Sequence, residues 1–110
     1  MAAGLGGVGI LSAASPVLLL AFEPFGSWAV NSTDAVTSEA ADRLRADGLA
    51  VARRVLPVTL EDVPVQVQEA LDEHRPAAVV ATGLAGRCHD VNVERVALNV
   101  ADFRIPDNAG

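Results

Sequence analysis

The chain has 110 residues, a single cysteine, and 8 Lys and Arg against 14 Asp and Glu, for a net charge of −6. That length fits one domain, and a hydrophobic content of 51% excludes a disordered chain. The acidic balance argues against nucleic acid, which requires a basic face, and a lone cysteine leaves no internal disulfide, so a cytoplasmic location is expected.

No residue from Met1 to Phe22 is charged. The stretch lacks a basic start and a strong apolar centre and is broken by Pro16, so it fits neither a signal peptide nor a spanning helix; no membrane partner is expected. Gly4 to Gly9 has the spacing G-x-G-x-x-G. A dinucleotide loop must follow a strand and open a helix, and this one does neither. It is read as part of a flexible extension, residues 1–15, ahead of a single domain over residues 16–110.

Val17 to Ala21 is a continuous apolar run between Pro16 and the Pro24/Gly26 turn, as expected of a strand covered on both faces. Asn31, Ser32, Thr33 and Asp34 are helix caps, and Asn31-Ser32-Thr33, although it fits a glycosylation sequon, is read as one of them. Val36, Ala40 and Leu44 then recur at helical spacing, and Asp47-Gly48 supplies the stop. Ala50 to Val58 alternates as a second strand. Glu61 and Asp62 open a second helix with the apolar stripe Val63, Val67, Ala70 and Leu71, closed by His74-Arg75-Pro76. Ala77 to Ala81 is a third strand, and a fourth is expected from about Glu94 to Val100. The order is βαβαβ, hence a largely parallel sheet with helices packed on it.

Phe22-Glu23-Pro24-Phe25-Gly26 places two of the chain's three phenylalanines in one turn at a strand's carboxyl end, where open α/β sheets bind ligands. They suit the wall of a small apolar pocket, or equally the core. Glu94 would share a strand face with Val96, Leu98 and Val100; it is either a perturbed functional carboxylate or a strand-end partner of Arg95, Arg104 or water. Cys88 and His89 are adjacent, so in an extended loop they point to opposite sides, a poor geometry for a nucleophile and its base. No second Cys or His stands at ligand spacing from them, so no metal site is expected.

Ala21-Phe22-Glu23-Pro24-Phe25-Gly26, Gly83-Leu84-Ala85-Gly86, Glu94-Arg95-Val96-Ala97-Leu98-Asn99 and Arg104-Ile105-Pro106-Asp107-Asn108 occur in the order and spacing of the pyrrolidone-carboxylate peptidases (pyroglutamyl peptidase I). The chain resembles that family from about Val17 to Gly110. The resemblance implies a three-layer α/β/α sandwich, removal of N-terminal pyroglutamate from peptide substrates by a Cys–His–Glu triad without a cofactor, and homo-oligomers of the full-length enzymes. It matches Glu94 to the triad glutamate, Phe22 and Phe25 to aromatics that hold the pyrrolidone ring, and the backbone around Leu84 to the segment that hydrogen-bonds the lactam. The chain departs from the family at Ala21, where Gly is usual, and at Arg87-Cys88-His89, so Cys88 is not the family nucleophile. It stops at about half the family's length, before the family's catalytic Cys and His, so it is expected to be inactive alone. The alternative is a non-catalytic fragment or remnant that associates with itself or a partner through an exposed sheet edge.

Overall fold

The computed structural model describes residues 15–102 and 104–110. The expected extension and its glycine motif therefore lie almost wholly outside the described residues. Three strands, β1 (Val17–Phe22), β2 (Val51–Leu56) and β3 (Ala78–Ala81), alternate with two helices, α1 (Ser32–Ala46) and α2 (Asp62–His74). All pairings are parallel, in the order β2-β1-β3. The apolar run becomes β1 because it is the central strand: both its edges are paired and both its faces are covered, leaving Leu18, Leu19, Leu20 and Ala21 buried.

The chain starts in the centre, steps out to β2 and then crosses back over β1 to β3. Since parallel crossovers are right-handed, this reversal puts the two helices on opposite faces, giving three layers of α, β and α. On the α2 face, Leu18 and Leu20 of β1 and Ala52 and Leu56 of β2 pack with Ala70, flanked by Val63, Val67 and Leu71. That is the stripe expected of this helix. Arg75 closes α2 in a left-handed conformation, φ 44°.

The other helix differs from expectation. Its buried positions are Thr33, Thr37 and Ala41, whereas Val36 is 58% exposed. Hydrogen bonding sets this face. The Asn31 side chain caps α1, its Oδ1 accepting the Thr33 N–H at 3.1 Å, while its Nδ2 donates to the Glu23 carbonyl at 3.0 Å. The Phe22 N–H in turn donates to Thr33 Oγ1 at 3.0 Å. These bonds tie the start of α1 to the end of β1 and turn the small side chains inward, where they allow a close approach to the sheet. Arg53 on the same face reaches Asp34 at 2.7 Å, and Arg54 on the opposite face reaches Glu73 at 3.0 Å. The two adjacent arginines of β2 thus point apart and make no basic patch.

The expected fourth strand does not form: residues 91–98 and 100–102 are coil, with a bend at Asn99. Val93, Val96, Leu98 and Val100 are 71–89% exposed. An alternating pattern records what a strand could bury, but a strand also needs a neighbour to complete its ladder. No described strand pairs with this segment. The Cα radius of gyration, 15.8 Å, accordingly exceeds the ~13 Å typical of a compact chain of this length. Among the described residues no helix is long and apolar enough to cross a membrane.

Candidate functional site

The carboxyl ends of the three strands open onto one cavity of about 430 Å³. It lies where the order reverses across β1, the position at which doubly wound sheets take their ligands, and its size is within the range of small-molecule sites. Phe22 closes β1 on one side of it, and Phe25 follows in the turn. That turn is held by the Trp28 N–H donating to the Phe25 carbonyl at 3.1 Å. It also requires Gly26, whose φ of +60° is a left-handed conformation that side chains disfavour. Leu84, just past β3, supplies another wall, and Leu60 and Val63 close the side toward α2. The lining is predominantly apolar with few polar groups, suited to an uncharged ring. The chain brings Phe22, Phe25 and Leu84 together in the lining of this cavity.

It does not bring Glu94 to them. That residue is exposed, lies in coil and does not line the cavity. The partly desolvated carboxylate expected on a strand face is therefore a correction: without the strand there is no apolar face for it to head. Among the described residues it has no hydrogen-bonded or ionic partner. Cys88 and His89 are also exposed and away from the cavity. His74 sits at the end of α2, its Nε2 3.6 Å from a Glu73 oxygen. Among the described residues no group of three His, Cys, Asp or Glu could hold a metal ion.

Sequence reasoning used Arg104-Ile105-Pro106-Asp107-Asn108 only as a family motif and gave it no place in the pocket, although Ile105, Pro106 and Asp107 form part of the cavity wall. One carboxylate holds this segment. Asp107 Oδ2 accepts the Leu60 N–H at 2.7 Å, and Oδ1 accepts those of Ala109 and Gly110 at 2.9 and 3.0 Å. The signal was present: an Asp at the head of a turn accepts backbone N–H groups two and three residues on. Its distant partner, 47 positions away, was not visible.

The backbone donors of Leu60 and Ala109, in that order, hold the Asp107 carboxyl below the usual carboxylate range against a smaller opposing effect of burial. Its folded value being depressed, its contribution is complete above its unfolded value of about 3.9 and is lost as pH falls through the lower folded value. No ion pair involves Asp107 among the described residues. Glu61 and Asp62 follow its partner Leu60 in sequence, Glu23 precedes the Pro24 that Asn108 bonds, and Arg104 stands three positions before it, so Asp107→Asn serves as the control. The Leu60 amide proton shift should stay level from pH 7 to about 4 and move below that, and in Asp107→Asn that movement should vanish.

Comparison with known proteins agrees with this geometry. The family model described as pyroglutamyl peptidase matches residues 15–110. A pyrrolidone-carboxylate peptidase of Gloeobacter violaceus is 45% identical over 94 residues, covering 86% of this chain and 45% of that protein. One of Thermococcus litoralis is 38% identical over the same length, covering 86% and 42%. The crystal structure of pyrrolidone carboxyl peptidase from the hyperthermophile Pyrococcus furiosus superposes with a TM-score of 0.74 at 33% identity, over 86% of this chain and 45% of that one. The chain thus spans less than half the length of these relatives. A family match over nearly the whole chain, with the sheet order and aromatic turn described above, places it: the chain belongs to the pyroglutamyl peptidase family.

Proposed function

We propose that this chain carries the ring-recognition part of a cysteine-type peptidase that hydrolyses pyroglutamate from the N-terminus of peptides. The observation that supports this most is the convergence of Phe22, Phe25 and Leu84 on one apolar cavity at the carboxyl end of the sheet. A pyroglutamyl residue is a neutral lactam, with no charge to pair and one flat face on each side. It is held by apolar walls, with its N–H and C=O left for backbone partners such as those around Leu84. Discrimination against ordinary N-termini follows, since an ammonium brought into such a slot would be desolvated without a partner.

Cleavage of the following amide requires a thiolate to attack the carbonyl and an imidazole to carry the proton. In the family's Cys–His–Glu arrangement, Glu94 is the residue that would orient the imidazole. Neither Cys88 nor His89 lines the cavity, and Glu94 stands apart from it. On this reading the 110 residues bind the ring without cutting by themselves, and the family resemblance extends the proposal to a homo-oligomeric enzyme in the cytoplasm. The purified chain should release no fluorophore from a pyroglutamyl-coumarin amide in a continuous assay. Release that disappears in Glu94→Ala would show that the chain is catalytically complete and would overturn this part of the reading.

A further inference from the structure

We propose that Asp107 is a positioning residue for the ring slot, clasping residues 105–110 across the loops after β1 and β2 so that Ile105 and Pro106 form the slot's third wall. The proposal rests on the ring-slot reading above and extends it to a segment that carries neither an aromatic residue nor a member of the triad.

Three sets of contacts make the clasp. Asp107 joins its own turn, through the N–H groups of Ala109 and Gly110, to the loop after β2, through Leu60. At 2.7 Å the Leu60 bond is in the range of charge-assisted hydrogen bonds, roughly twice as strong as neutral ones. Asn108 adds two bonds: its N–H donates to the Val58 carbonyl at 2.8 Å, and its Nδ2 donates to the Pro24 carbonyl at 2.9 Å, 84 positions away. Pro24 lies between the two ring-holding phenylalanines, so the clasp grips the aromatic turn itself. Finally, Ile105 rests on that turn: a Cβ built on Gly26 would lie 3.3 Å from Ile105 Cδ1.

The consequence is geometric. Phe22 and Phe25 belong to the loop after β1, and Leu60 and Val63 to the β2–α2 connection. The described hydrogen bonds between the Pro24 and Val58–Leu60 stretches run through residues 107 and 108. With the clasp closed, Ile105 and Pro106 cover the ring from the side the sheet leaves open. With it undone, that side faces water, and the slot loses both apolar contact and the fixed spacing of its walls.

The test is a titration of the 110-residue chain with L-pyroglutamamide, read on backbone amide resonances. Asp107→Ala should bind roughly ten- to hundredfold more weakly, the scale of losing a hydrogen bond to a charged group. The Leu60 amide resonance should shift in the free protein while that of Leu18, in the central strand, stays in place. Asp107→Asn, which keeps one acceptor but not the charge, should recover part of the affinity. Asn108→Ala, which spares the Asp107 bonds, should also weaken binding, and it carries the test if Asp107→Ala does not fold. Wild-type affinity in Asp107→Ala, or a Leu60 amide unmoved by that change, would overturn the proposal. Should the unaltered chain not bind the amide at all, the ring-slot reading fails and takes with it the clasp's role toward a ligand. The Leu60 amide would still decide whether the clasp exists.

Discussion

Leu18→Ala should lower the free energy of unfolding by about 2–5 kcal/mol. Leu18 has no exposed surface. It sits in the middle of three strands, opposite Ala52 and Val79, and packs in the cluster with Leu56 and Ala70 beneath α2. Small neighbours leave little that can collapse into the vacated space, which places the loss toward the upper end of the range. Against the roughly 5–15 kcal/mol of an ordinary domain, that is a large fraction. Val36→Ala is the contrast. A sequence-based stripe makes Val36 a core position, but it is 58% exposed, so its loss should stay within about 0.5 kcal/mol. Urea denaturation followed by circular dichroism measures both, with an unchanged slope confirming that stability alone has moved. Equal losses at the two positions would mean that α1 buries the other face.

Phe25→Ala should weaken binding of L-pyroglutamamide by about ten- to hundredfold, equivalent to removing one apolar wall worth roughly 1.5–3 kcal/mol. Phe25 is the cleaner probe of the two aromatics. Phe22 also packs against the core cluster and its N–H is held by Thr33, so its truncation would mix folding with binding. Phe25 projects from the turn beyond the strand and lines the cavity without belonging to that cluster. Its truncation should therefore change affinity much more than stability. A calorimetric titration beside a melting curve separates the two, with Val36→Ala as the neutral control.

The parts of this fold that the sequence discloses are those governed by local pattern. The run Val17 to Ala21, bounded by prolines, had to be a doubly covered strand. The α2 stripe and its stop at His74-Arg75-Pro76 follow from helical period and backbone conformation. The aromatic turn is legible because Gly26 and Pro24 constrain it and two rings stand together. What stayed hidden depends on partners. Nothing in the spacing of Val36, Ala40 and Leu44 shows that Asn31 and Thr33 bond the end of β1 and so fix which side of α1 faces the sheet. The alternation from Glu94 to Val100 describes a strand, but forming one depends on a neighbouring edge. Asp107 reads as the head of a local turn, and only the folded chain brings Leu60 to it.

The central claim is that the cavity is a slot for a pyroglutamyl ring, and a paired titration tests it directly. Backbone amide resonances of the chain would be followed during addition of L-pyroglutamamide and, separately, L-prolinamide, which has the same five-membered ring with a charged amine in place of the lactam. The slot predicts saturable shifts for the first compound, centred on Phe22, Phe25 and Leu84, and none for the second at the same concentrations. Equal responses to both, or saturable shifts confined to residues away from the ends of β1 and β3, would contradict it.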